Sequence, residues 1–426
     1  MREPENHCAA ERETAERGSS ALPAAGGPPR TKRVLLHFPA RDAESAAMMR
    51  GIAHFLQTRG GWTVHLDEGR RTGPELRWQL AHGWCGVISR DTSPALIEGC
   101  AAFQLPLVAL DDAPPPAGVS KILNDNDGIG AMGGEFFLDR GFRHFAFVGD
   151  AASGWACERE QGFVEAVRLG GHHAAVFRDE AAAAGGLGGG APSAGALAAW
   201  LRQLPKPAGV MACDDWRAMQ ILAAAHVAAL QIPEELSVLG AGNDEVRCEL
   251  AVPTLSSVAP GAFQAGYQAA EHLAQRLAGA VGGICDLRIE PVQVVGRRST
   301  DALAIPDRAV ATAVRYIGEH ACRGLTVGEV LPQAAVSRAQ LEKKFRQYLG
   351  RSPQAEIRRV QVARIRQLLT ETDLPLKRIA ELTGFDYMEY LCVVFRRLTG
   401  ETPGAFRRRQ QPAGRAAPNQ RGASAG

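Results

Sequence analysis

Through most of this chain short apolar runs alternate with stretches of helical periodicity, and at about Ala309 that alternation ends. No other feature limits the possible folds as sharply. VLLHF at 34–38 precedes a helix near 46–59, WTVHL follows at 62–66, and apolar runs at 86–88, 105–110, 145–148, 209–212 and 237–240 carry the pattern on. Strands separated by helices return by crossovers, which sets them side by side and parallel, so this part predicts a doubly wound α/β architecture. At 426 residues the chain is long for one core. The alternating part has room for two lobes with a ligand cleft at the strand ends.

Beyond Ala309 the apolar residues of AVRYIGEHA, LTVGEVLPQAA, SRAQLEKKFRQYL, PQAEIRRVQVARIRQLL, LKRIAEL and YMEYLCVVFRRL recur at three- and four-residue steps, predicting six to seven short helices. This gives an extension over 1–31 expected to be disordered, a two-lobed α/β domain over 32–300, an all-α domain over 301–410 and a disordered tail over 411–426. Pro306, Asp307 and Arg308 mark the junction, and AAAAGGLGGG at 181–190 reads as a mobile surface insertion.

Charge divides along the same line. Residues 301–426 hold 21 Lys and Arg against 12 Asp and Glu, while the remainder holds 27 against 34. Clustered cations on a helical module are the footprint of phosphate binding, which points to double-stranded DNA as the partner of the C-terminal part. The nine cysteines are scattered, without a CxxC pair or a zinc-ligand spacing, as expected of reduced thiols in a cytoplasmic protein without a metal. The first thirty residues lack an uninterrupted apolar core and no later run reaches membrane-spanning length, so neither export nor a membrane partner is expected.

Within the helical module two helix-turn-helix units stand out. In the first, Thr326 starts a helix running toward Ala334, shortened at Pro332 by the missing backbone donor, and Ser337 caps a second helix from Arg338 to about Leu349. With Leu341 and Phe345 facing the core, Ser337, Arg338, Ala339, Gln340, Glu342, Lys343, Lys344 and Arg346 are the candidate DNA-contacting residues, Gln340 and Lys343 being best placed for base edges. In the second, Pro375 opens a helix to Leu382, Gly384 allows the turn, and a further helix spans about 387–398. That helix offers Tyr387, Met388, Glu389, Cys392 and Val393 to the groove and Arg396 and Arg397 to phosphates. Apolar side chains suit thymine methyl groups, so the second unit is expected to position more than it reads. The connecting helix, with Arg358, Arg359, Arg364 and Arg366, is expected to hold both units in one rigid block.

SRAQLEKKFRQYLGRSPQAEIRRVQVARIRQLL, followed by IAELTGF and VFRRLTGETPGAFR, resembles the AraC-type transcription regulators over about a hundred residues. RGFRHFAFVGD, REQGF, IPEELSVLGAGNDE and PTLSSV resemble the effector domain shared by Lac-type repressors and periplasmic sugar-binding proteins. An effector domain placed first is the order of the xylose regulators of the AraC family. The resemblance implies a ligand-responsive, sequence-specific regulator of carbohydrate-metabolism genes, a homodimer whose small polar effector is a sugar or sugar derivative, with RNA polymerase as a further candidate partner. It places Arg159 and Asp215 in the effector cleft, with Trp155 or Trp216 as the aromatic face, and Asp125, Asn243 and the loop from Arg41 to Ser45 as further candidates. In the segment Gly240 to Asp244, Gly242 stands where the family usually carries a carboxylate.

Other functions are carried less well. Gly128, Gly130 and Gly133 spell a GxGxxG with Asp150 beyond, but Leu123 is followed by Asn124, Asp125, Asn126 and Asp127, so the strand that a dinucleotide fingerprint needs is not expected, and the glycines are read as close helix packing. His172 and His173 are adjacent and would point about 100° apart on a helix, which suits no single metal ion. No GxSxG elbow appears. An enzyme with a dinucleotide cofactor ranks third, behind a cytoplasmic sugar-binding module without DNA binding. The expectation is a regulator that is not an enzyme and carries no cofactor.

Overall fold

The computed structural model describes residues 31–39, 42–69, 73–81, 83–111, 119–178, 194–279, 283–302, 304–305, 307–372 and 374–410. The expectations for 1–30, 181–190, Arg41, Pro306 and 411–426 fall outside these residues. Twelve strands follow one another: β1 (Lys32–His37), β2 (Trp62–Asp67), β3 (Gly86–Ser89), β4 (Leu107–Ala109), β5 (Ser120–Asn124), β6 (His144–Val148), β7 (Ala174–Phe177), β8 (Ala208–Ala212), β9 (Leu236–Ala241), β10 (Ser256–Ala259), β11 (Asp286–Ile289) and β12 (Gln293–Val295). They form two six-stranded sheets, in the orders β11-β5-β4-β3-β1-β2 and β12-β10-β9-β8-β6-β7. Every pairing is parallel except that of β10 with β12. The central strands β3, β8 and β9 are buried along their whole length, as parallel strands covered by helices on both faces must be.

The chain passes between the sheets three times, after β5, after β10 and after β11. The first two passages place helices on the opposite lobe: Asn126–Asp139 packs on Gly154–Leu169, and Ala262–Leu277 packs on Ala43–Arg59. Both pairs touch backbone to backbone through glycines. A Cβ at Gly51 would lie 2.0 Å from the Phe263 carbonyl oxygen, one at Gly266 1.9 Å from that of Met48, one at Gly130 1.9 Å from that of Arg159, and one at Gly162 2.0 Å from that of Asp127.

The GxGxxG segment is thereby accounted for, with one correction to its context. A strand does lead into it, β5, and the chain turns at Asp125 into the helix. The glycines, however, lie inside that helix. Gly130 makes room for Arg159 and Gly133 for the Met211 sulfur, so no cradle for a pyrophosphate remains.

From Arg308 onward the described residues hold helices only: Arg308–His320, Val327–Ala334, Arg338–Leu349, Pro353–Glu371, Leu376–Leu382, Met388–Thr399 and Pro403–Gln410, with a short 3-10 turn at Ala321–Arg323. They enclose two small cores, one around Val310, Ile317, Leu341 and Phe345, the other around Ile365, Ile379, Leu391 and Phe395. Pro332 does not end its helix, which runs on to Ala334 and stops at Ala335 in the left-handed region. Between the cores lies buried Gln361, whose side-chain nitrogen donates to the carbonyls of Ala321 (3.0 Å) and Thr383 (2.9 Å). Gly384 meets Gly324 so closely there that a Cβ would stand 2.3 Å from the Gly324 nitrogen. One helix and one amide therefore tie the two units together.

Candidate DNA-binding face and ligand cleft

The first reading helix, Arg338–Leu349, is fixed at its start by a reciprocal cap: Ser337 Oγ accepts from the Gln340 backbone nitrogen (3.3 Å) and Gln340 Oε1 accepts from that of Ser337 (3.2 Å). Ser337, Arg338, Ala339, Gln340, Lys343 and Arg346 are exposed. The cap occupies the Gln340 carbonyl, so the two-point pairing of a glutamine with adenine is closed while it holds, leaving the amide nitrogen to donate. Arg338 pairs with half-buried Glu342 at 3.3 Å, one helical turn on. Lys344 departs from the expected DNA-facing set. It lies on the side of the helix toward the domain junction and donates to Asp307, whose carboxyl that bond holds below the usual carboxylate range.

The second reading helix, Met388–Thr399, exposes Met388, Glu389, Val393, Arg396 and Arg397, with Tyr387 ahead of it 72% exposed. Cys392 departs from expectation: it is half-buried against the second core, and burial together with Glu389 raises its thiol. Sequence reasoning passed over Tyr390, 49% exposed on the same face, although its three-residue step from Tyr387 and Val393 was the available signal. The Arg358 guanidinium, 5.1 Å from the Tyr390 ring centre and 5.0 Å from that of Phe385, braces it from the connecting helix.

Between the two lobes lies a cavity of about 400 Å³, lined from the first lobe by Asp42, Glu44, Arg90, Asp111 and Asn124 and from the second by Trp155, Arg159, Asp214, Trp216 and Arg247, among others. Arg159 is buried. Its Nη1 donates to the Cys213 carbonyl (2.8 Å) and its Nε to Asn126 Oδ1 (3.0 Å), and its guanidinium lies 4.8 Å from the Trp155 ring centre. Arg159, Trp155 and Asp215 thus meet in the cleft as the sequence predicts. Asp215 is largely spoken for, accepting from Ser257 Oγ (2.6 Å) and the Asp244 nitrogen (2.8 Å), and its burial raises its carboxyl.

Two expected ligand residues are elsewhere. Asp125 is turned back to cap its own helix, accepting from the Gly128 nitrogen at 2.9 Å, and it is Asn126, one residue on, that enters the cleft. Asn243 accepts from Arg297 Nη2 at 3.1 Å and does not line the cavity. Of the loop from Arg41 to Ser45, the residues Asp42, Ala43 and Glu44 do line it. Gly242 also faces the cavity, with φ 129° and Asp215 Oδ2 only 3.1 Å from where its Cβ would be.

The two sites are joined. At the far end of the Asn126–Asp139 helix, Asp139 accepts from Arg351 Nη1 (2.7 Å) and Arg359 Nη1 (3.1 Å), and its carbonyl accepts from Arg351 Nη2 (2.8 Å). Arg359 and Arg351 also grip buried Glu356, and their combined charge outweighs burial to hold that carboxyl below its ordinary range. Burial, and next the nearness of Arg359, brings Arg140 down to about 10. Arg351, just before the connecting helix, and Arg359 on it therefore serve the effector domain as well as the helical module. Among the described residues no helix is long and apolar enough to cross a membrane.

Comparison with known proteins agrees with this geometry. Residues 135–300 match a periplasmic binding protein-like domain and residues 332–409 a helix-turn-helix domain. The chain is 31% identical over 387 residues to the xylose operon regulatory protein of Escherichia coli strain K12, covering 88% of this chain and 96% of that one. It is 28% identical over 386 residues to the protein so named in Haemophilus influenzae, covering 88% and 98%. The solved structure of a xylose-binding transcription activator aligns with a TM-score of 0.55 at 30% identity, covering 88% of this chain and 97% of that one. A LacI family regulator of Enterococcus faecium with bound ribose, at 21% identity and a TM-score of 0.52 over 64% of this chain and 99% of that one, shares the fold of the two lobes.

Proposed function

The chain belongs to the family of the xylose operon regulatory proteins, and from that premise we propose that a sugar held between its two lobes sets how its helix-turn-helix domain engages the promoters of carbohydrate-metabolism genes. It is a DNA-binding transcription regulator with a sugar-binding type of effector domain. The reading adds that the lobes close on the ligand, that closure moves the helical module, and that two modules in a homodimer are thereby spaced to fit their operator.

One observation carries the coupling. The 14-residue helix Asn126–Asp139, about 20 Å long, has Asn126 in the cleft against Arg159 and Asp139 in the grip of Arg351 and Arg359. Its glycine-lined seam with Gly154–Leu169 leaves no space to slide, so a shift of Arg159 toward a ligand is passed to the DNA-binding domain as motion of a packed pair of helices. A ligand that favours the closed state by about 1–3 kcal/mol changes DNA affinity roughly 5- to 150-fold.

Isothermal titration of the full chain with xylose and a panel of other sugars, followed by fluorescence anisotropy on promoter DNA with and without the ligand, tests this. Binding that leaves DNA affinity and oligomeric state unchanged, or no binding at all, removes the sensor half of the reading. The DNA-binding half stands on its own residues.

A further inference from the structure

The aim of Arg159 into the cleft is set through Asn126 by Glu158, a residue of the same helix that does not line the cavity. Asn126 Oδ1 accepts from Arg159 Nε at 3.0 Å, and its Nδ2 donates to Glu158 Oε2 at 3.2 Å. An ionised carboxylate only accepts and a guanidinium only donates. The buried amide of Asn126 therefore has a single orientation that serves both neighbours, nitrogen toward Glu158 and oxygen toward Arg159. With its Nε fixed in this way and its Nη1 on the Cys213 carbonyl, the guanidinium lies beside the Trp155 ring.

Glu158 is held in turn from the other lobe. Arg288, on β11 of the first sheet, reaches Glu158 Oε2 at 3.1 Å and the Asn124 carbonyl at 3.4 Å. β5 and β11 both end where the chain crosses between the lobes, and there the Asp125 nitrogen donates to the Ile289 carbonyl (2.9 Å). The Arg288 to Glu158 pair thus bridges the lobes at their hinge, and a swing of one lobe against the other alters it. Its side chains are 44% and 36% exposed, so it adds little to stability. What it sets is the place of the Glu158 carboxylate, and with it the Asn126 amide.

Resting on the sugar-binding reading above, we propose that Glu158 is a positioning residue for the effector: held across the hinge by Arg288, it fixes the Asn126 amide and thereby points Arg159 at the ligand. Without the carboxylate the amide is free to turn over. Its N–H groups would then face the Nε–H of Arg159, donor against donor, and the guanidinium would lose the acceptor that sets its plane. Effector affinity then depends on two charged groups, one from each lobe, that do not themselves line the cleft.

The test is titration calorimetry of the full chain with xylose, ribose, glucose and galactose, the tightest of these for the parent being carried to the variants, with melting temperatures followed by circular dichroism. Glu158→Ala is expected to bind that sugar roughly tenfold more weakly or worse, the scale of one hydrogen bond to a charged group, while its melting temperature stays near that of the parent. Arg288→Ala shifts affinity in the same direction by less. Asn126→Asp sets two carboxylates together and weakens binding as well. Adding Glu158→Gln to it restores most of the affinity, because the glutamine amide donates to the new carboxylate while Arg159 keeps its acceptor. Unchanged affinity in Glu158→Ala, losses that follow the melting temperature in every variant, or no recovery in the paired variant overturns this inference and leaves the sugar reading intact. No binding of any sugar by a parent that still binds DNA overturns the sugar reading and this inference with it.

Discussion

The backbone of Gly130 lies against that of Arg159, the two helices approaching so closely that a Cβ on the glycine would stand 1.9 Å from the arginine carbonyl oxygen. The side chain of the same arginine reaches into the cleft. A substitution at Gly130 therefore acts on ligand binding through packing. Gly130→Ala has to part the helices, because backbone cannot swing aside as a flexible side chain can, and overpacking of this kind costs about 1–3 kcal/mol. The expected outcome is a lowered melting temperature together with at least tenfold weaker effector binding, read by circular dichroism and calorimetry. A melting temperature and affinity like those of the parent would contradict the close contact.

Gln361 joins the two helix-turn-helix units through one side-chain nitrogen. Gln361→Leu keeps most of the volume but leaves the carbonyls of Ala321 and Thr383 without their donor in a buried place, at about 1–3 kcal/mol for each group left unpaired. Denaturant titration is expected to show the helical domain destabilised by that order. Affinity for a DNA site long enough for both units should fall further than for one spanning the first unit alone.

The two reading helices present different chemistry, and single substitutions separate them. Lys343, exposed in the middle of the first reader, is expected to choose among bases, so Lys343→Ala flattens the difference between the preferred operator and its point variants. Arg396, exposed on the second, is expected to hold a phosphate, so Arg396→Ala weakens all sequences alike and lowers the salt slope by about one. Anisotropy against an operator series at several salt concentrations distinguishes these outcomes. Equal, sequence-blind losses from both variants would refute the division.

Local signals made the helical module readable. Ser337 before Arg338–Leu349 and Gly384 between the second pair act within one turn of the chain, and the apolar period does the rest. The cleft was readable in outline only. Whether Asp125 or Asn126 faces the ligand depends on where one helix begins, and a one-residue shift turns a side chain by about 100°. β5 was missed because SKILN carries polar residues at both ends and becomes a strand through its neighbours β4 and β11. The grip of Arg351 on Asp139 joins residues 212 apart and leaves no local trace.

That grip gives the last prediction. Asp139 receives both Arg351 and Arg359, which also enclose Glu356, so one carboxylate of the effector domain completes a network based on the DNA-binding domain. Asp139→Asn keeps the shape and removes the charge. It is expected to leave effector affinity and basal DNA affinity near those of the parent while shrinking the effect of the ligand on DNA binding toward unity, which parallel calorimetry and anisotropy would show. Acid should mimic it. Glu356 is held below its ordinary range in the fold, so its contribution is complete above the unfolded carboxylate value of about 4.3. It is lost as the pH falls through the lowered folded value. Coupling should therefore persist at pH 5 and disappear in stronger acid, before or together with unfolding of the helical domain. Coupling retained in Asp139→Asn at neutral pH would place the transmission outside the Asn126–Asp139 helix.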